Sequence, residues 1–122
     1  MKRTICLDFD GCLHSYTSRW KGPDVIPDPP VDGAAAACRD LRDRGFHVVV
    51  FSTRCATNEG IMAVRGWLNR HGIEVDDVVN HKPPALVYVD DRAVRFEGDW
   101  TRAVAEIVRA VSEGTWQGKA RE

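Results

Sequence analysis

Two carboxylates, Asp8 and Asp10, stand two residues apart at the end of the apolar run Thr4-Ile5-Cys6-Leu7, and Gly11 follows them. Side chains two apart on an extended chain point to the same side. Both acids then converge on one point just beyond a strand end. Carboxylates that close repel one another and call for a cation, a shared proton or a substrate between them. A divalent metal carrying a phosphate meets that need. A strand running into an Asp-Gly turn, with both acids solvated, is the plainer alternative.

Three further polar groups sit beside apolar runs. Ser52, Thr53 and Arg54 follow Phe46-His47-Val48-Val49-Val50-Phe51. Asp90 and Asp91 follow Ala85-Leu86-Val87-Tyr88-Val89, and Lys82 precedes that run. Each is ordinary alone, as a turn, a solvated lysine or a capping pair. Together their types complete one chemistry. A carboxylate can attack phosphorus. A second acid can protonate the leaving alkoxide and then deprotonate water. A hydroxyl and a lysine can hold the transferring oxygens. Further carboxylates can hold Mg²⁺.

The elements that must position these groups follow from periodicity and punctuation. Residues 4–9 are expected as the first strand. Residues 14–31 hold Pro23, Pro27, Pro29 and Pro30 with Tyr16 and Trp20, and read as a long surface flap. Asp32 is expected to cap a helix through about Arg44, stopped by Gly45. Residues 46–51 are near-continuously apolar, as buried parallel strands are. Thr57 or Asn58 caps a second helix to about His71, with Ile61, Val64, Trp67 and Leu68 at helical spacing. A weaker strand is expected over 75–79, a buried strand over 85–89 and a short strand over 94–96. A last helix runs from about Thr101 to Ser112, with Ala103, Ile107, Val108 and Val111 facing inward. The tail over 115–122 reads as loose, with Trp116 a candidate for packing. This order predicts an α/β fold, a doubly wound, three-layer Rossmann-like sandwich on a mainly parallel sheet. Sites in such folds lie at the carboxyl ends of the strands, where the polar groups above fall.

The 122 residues suit one domain with one core. A net charge of −1 argues against sequence-independent nucleic-acid binding by bulk charge. Cys6, Cys12, Cys38 and Cys55 form no C-x-x-C pair and read as reduced thiols. The apolar run after Met1-Lys2-Arg3 is too short for a signal peptide, no stretch approaches membrane-spanning length, and the cytoplasm is the expected compartment.

DFDGCL, then VVVFST, then Lys82, then VYVDD resembles the four ordered motifs of the haloacid dehalogenase superfamily, in its phosphatase branch. The likeness spans roughly residues 4–91 and extends through the closing helix. It implies a Mg²⁺-dependent phosphomonoesterase that works through an aspartyl-phosphate. Asp8 is implied as the nucleophile. Asp10 is implied as the general acid/base, with its backbone carbonyl on Mg²⁺. Ser52 and Lys82 are implied at the phosphoryl group, with Gly11, Thr53 and Arg54 also expected around the phosphate. Asp90 and Asp91 are implied as metal residues, which of them touches the ion staying open. An arginine placed like Arg54 assists in polynucleotide-kinase-type 3′-phosphatases of this superfamily.

Members that act on small metabolites usually carry a cap after the first motif or between the second and third. Here the spans 14–45 and 55–81 are used up by the elements above, so no cap is expected and the site should be open. An open site suits a phosphorylated substrate of some bulk: a nucleic-acid end, a phosphopeptide, a sugar phosphate or a nucleotide. Tyr16 and Trp20 can stack on a base or sugar, or simply pin the flap, the commoner role. A homo-oligomer is a further possible partnership. Two other classes compete. A receiver-like signalling domain places its acids and lysine in another order along the chain. A catalytically silent phosphate-binding module would have little use for a cluster of repelling carboxylates.

Overall fold

The computed structural model describes residues 2–113. The expected tail and Trp116 lie outside them. Four parallel strands form one sheet in the order β3-β2-β1-β4. They are β1 (Thr4–Asp8), β2 (His47–Phe51), β3 (Asp77–Val79) and β4 (Val87–Val89). The register pairs Asp8 with Phe51, and Leu7 with Val50 and Val89. The carboxyl ends of β1, β2 and β4 therefore lie side by side, with Asp8 at the centre.

The helices are α1 (Ala34–Asp43), α2 (Asn58–Arg70) and α3 (Trp100–Glu113). Phe9, Val48, Val50, Cys38, Val64, Trp67 and Leu68 form a core with α1 and α2 against the sheet. Thr57 caps α2 as expected, its hydroxyl accepting from the Gly60 amide at 3.1 Å. Asp32 does not cap α1. Gly33 stands at that cap instead, in the left-handed region, with no side-chain hydrogen bond.

The carboxyl-terminal third departs from expectation. Residues 80–86 link β3 to β4 and contain no helix. Parallel strands are usually joined by a crossover of about a dozen residues or more. His81-Lys82-Pro83-Pro84 is too short and proline-rich for one. Among the described residues β4 is uncovered: Val87, Tyr88 and Val89 are exposed, not buried. No strand forms at 94–96, where Phe96 packs on Trp100 instead. Of the four residues expected inward on α3, only Ala103 is buried; Ile107, Val108 and Val111 are exposed.

The spans where a cap would be inserted hold the irregular segment 14–31 with α1, and a 3-10 turn (Thr53–Ala56) with α2 and β3. No helix among the described residues is long and apolar enough to cross a membrane.

Candidate active site

Asp8 closes β1, and the chain turns at once. Gly11 takes φ +88°, a conformation that favours glycine. The amides of Leu13 and His14 both donate to the Phe9 carbonyl, and the Gly11 amide donates to His14. This tight turn sends the Asp8 and Asp10 side chains to different surroundings.

Asp8 faces Asp91. Ligand atoms of Asp8, Cys12 and Asp91 lie within 4.8 Å of one another. A Cβ on Gly11 would meet Asp91 Oδ2 at 2.1 Å, so glycine is what lets this carboxylate approach the turn. Two carboxylates at that spacing are hard oxygen donors suited to Mg²⁺. Cys12 is a poor ligand for it: burial, then the charges of Asp8, Asp91 and Asp90, push its thiol up to about 12. Asp90 is engaged otherwise. It accepts from the Arg92 amide at 2.9 Å and pairs with Lys82 at 3.7 Å. Among the described residues Asp91 lies in the cluster with Asp8 and Cys12, while Asp90 lies beside Lys82.

Ser52 follows β2 and is almost fully buried. Its oxygen accepts from the Arg54 amide at 3.1 Å and so caps the 3-10 turn. A hydroxyl that accepts one bond keeps its proton for another acceptor. Thr53, next in the chain, is exposed. Lys82 is half exposed, with its ammonium 5.5 Å from the Tyr88 ring centroid and beside Asp90. Asp8, Lys82 and Asp90 line one narrow cleft.

Asp10 lies apart, 1% exposed. Arg54 grips it with Nε at 2.9 Å and one terminal nitrogen at 3.1 Å. His14 Nδ1 stands 2.8 Å from the same carboxylate. His14 Nε2 accepts from the Asp28 amide at 3.2 Å, which leaves Nδ1 as the donor toward Asp10. Burial raises the Asp10 pKa, but the hydrogen bonds from His14 and Arg54 and the charge of Arg54 outweigh it and hold the carboxyl below its ordinary value.

Arg54 was expected at the phosphate. It is instead fully buried. Its remaining terminal nitrogen donates to the carbonyls of Gly22, Pro23 and Val25, and Trp20 lies against its guanidinium at 4.8 Å. Gly60, at the start of α2, makes room for the Arg54 backbone, because a Cβ there would meet the Arg54 carbonyl oxygen at 1.6 Å. The flap aromatics pin the segment. Tyr16 is fully buried against His14, so it presents no face for stacking. The Trp67 indole donates to the Asp28 carbonyl at 3.0 Å.

His14 and Asp28 are site neighbours that sequence reasoning missed. A histidine four residues after Asp10 is a faint signal, meaningful only once the turn at Gly11 is known.

No protein-family model and no curated protein matches the chain. A solved structure of a target protein from Vibrio cholerae is similar, at 21% identity and TM-score 0.54, over 93% of this chain and 98% of that one. A second likeness is to a D,D-heptose 1,7-bisphosphate phosphatase from B. bronchiseptica, solved with magnesium and phosphate. It has 23% identity and TM-score 0.43, over 68% of this chain and 52% of that one. Likeness at these identities speaks to the fold alone, and the first supports a small Rossmann-like α/β domain with a parallel sheet.

Proposed function

We propose that the protein is a Mg²⁺-dependent phosphomonoesterase of the haloacid dehalogenase type. The observation that carries this reading is the convergence of Asp8, Asp91, Asp90 and Lys82 on one edge of a parallel sheet, from the ends of separate strands. Asp8 is the nucleophile, its carboxylate oxygen forming a bond to phosphorus as the ester oxygen leaves. Lys82 and the Ser52 hydroxyl hold phosphoryl oxygens and offset the charge that develops there. Asp8, Asp91 and the Asp10 carbonyl are the residues to hold Mg²⁺, and Asp90 supports them by fixing Lys82. A divalent ion held by these residues would supply positive charge to offset that of the carboxylates and the phosphoryl group. Asp10 is the acid that serves the leaving group and then water.

Without an inserted domain over Asp8, the site suits a phosphate on a bulky carrier: a nucleic-acid end, a phosphopeptide or an oligosaccharide phosphate. Release of inorganic phosphate from an aryl phosphate tests the reading. Activity should need Mg²⁺, vanish in chelator and return with the metal. Full activity in excess chelator would count against it. A panel of matched phosphates of rising size tests the carrier, and efficiency should hold or rise with size.

A further inference from the structure

Asp10 poses a problem for the reading above. A general acid must touch the leaving oxygen. Here its carboxylate is 1% exposed, and three nitrogen atoms of two side chains surround it. One of those side chains is tied to the flap. The Arg54 nitrogen that does not hold Asp10 is shared among the carbonyls of Gly22, Pro23 and Val25. Trp20 covers the guanidinium. His14 opens the same segment and is held at its far side by Asp28, whose carboxylate in turn accepts from the Ser18 amide at 2.7 Å. Acid and flap are therefore one connected unit, with Arg54 as the joint.

We infer that segment 14–31 is a latch on Asp10, with Arg54 and Trp20 as specificity-determining residues: the acid reaches a leaving group only when a substrate seated over the segment displaces Trp20 and the 22–25 carbonyls from Arg54. The inference rests on the phosphatase reading. Its chemistry is selective. A carrier large enough to lie across Trp20, as a nucleobase or a sugar ring can by stacking, draws the segment off the guanidinium. Arg54 then loses its carbonyl partners, and its pair with Asp10 can turn toward the site. A small phosphate fills the cleft of Asp8 and Lys82 without touching the segment, and its leaving group must depart unprotonated. Small aryl phosphates with good leaving groups tolerate this. Small alkyl phosphates do not.

Two variants open the latch without removing a group that touches substrate at Asp8. Trp20→Ala removes the cover. Arg54→Lys keeps a positive charge for Asp10 but has no second arm for the carbonyls. The first readout is independent of activity: tryptic cleavage after Arg19 and Lys21, both exposed within the segment. It should quicken in both variants, and Trp20→Phe should restore the native rate. The second readout is kcat/KM for a small alkyl phosphate relative to p-nitrophenyl phosphate. That ratio should rise about tenfold in both variants, within the range a positioned proton donor supplies. Inhibition by inorganic phosphate should not change.

Unchanged cleavage overturns the latch. Faster cleavage with an unchanged or lower ratio also overturns it, since the segment would then hold the fold without gating the acid. Weaker inhibition by phosphate in Arg54→Lys would make Arg54 a phosphate ligand after all. A wild-type protein that hydrolyses no phosphomonoester with Mg²⁺ sinks the parent reading, and the latch with it. Normal wild-type turnover with a failed ratio sinks the latch alone.

Discussion

Gly11 and Asp91 are fitted to each other: any side chain at position 11 would have its first carbon 2.1 Å from Asp91 Oδ2. The contact joins the turn after β1 to the acid pair after β4. Asp91 so placed has a carboxylate oxygen within 4.8 Å of a ligand atom of Asp8.

Gly11→Ala should therefore lose activity and stability together. The φ of +88° alone costs an alanine more than about 1 kcal/mol. The displaced Asp91 should weaken Mg²⁺ binding as well. Denaturant unfolding and a Mg²⁺ titration of activity check the two effects separately. A variant with native Mg²⁺ dependence would break the link between the turn and the metal residues.

Asp8→Asn should abolish turnover and leave the fold intact. The change removes a charge that faces Asp91 and no packing group, so the melting temperature should hold or rise. Clear residual phosphatase activity would remove Asp8 as nucleophile.

Arg54→Ala should cost about 3–5 kcal/mol, because it leaves the Asp10 carboxylate buried without its main partner. Lys82→Ala, at a half-exposed ion pair, should cost at most about 1 kcal/mol. Equal losses in urea unfolding would contradict the burial contrast between the two sites.

Stability should fall on the acid side. For Asp10, burial opposes ionisation, but His14 and Arg54 leave the pKa lowered; for Asp28 burial is likewise outweighed, by Ser18 and His14. A carboxyl whose pKa drops on folding contributes fully above its unfolded value of about 3.9 and loses that contribution as pH falls through the folded one. Unfolding free energy should thus decline below about pH 4, with a shallower decline in Arg54→Ala than in the wild type. Identical slopes would detach Asp10 from this effect.

Much of the sheet was legible in the chain. The runs ending at Asp8 and Phe51 are buried parallel strands, and Gly45 and Gly72 follow helix ends as read. The carboxyl-terminal third was misread for a physical reason. The apolar run at 85–89 and helical spacing at 103–111 record a tendency to be covered, and say nothing about whether a covering layer exists. Residues 80–86 hold no helix, and Val87, Tyr88, Val89, Ile107, Val108 and Val111 are exposed. At the site, strand-end position brought Asp8, Ser52, Lys82, Asp90 and Asp91 to one edge. What spacing could not show was direction. Asp10 and Arg54 point into a buried pair, because their partners His14 and the 22–25 carbonyls come from an irregular segment with no periodicity to read.

Reductive trapping of the covalent intermediate addresses the central claim most directly. The protein would be mixed with Mg²⁺ and an aryl phosphate, quenched, treated with borohydride and mapped by peptide mass spectrometry. An acyl phosphate on Asp8 predicts modification at residue 8 that appears only with substrate and metal and is absent in Asp8→Asn. Steady hydrolysis with residue 8 unmodified, or with the label on another carboxylate, would contradict the account.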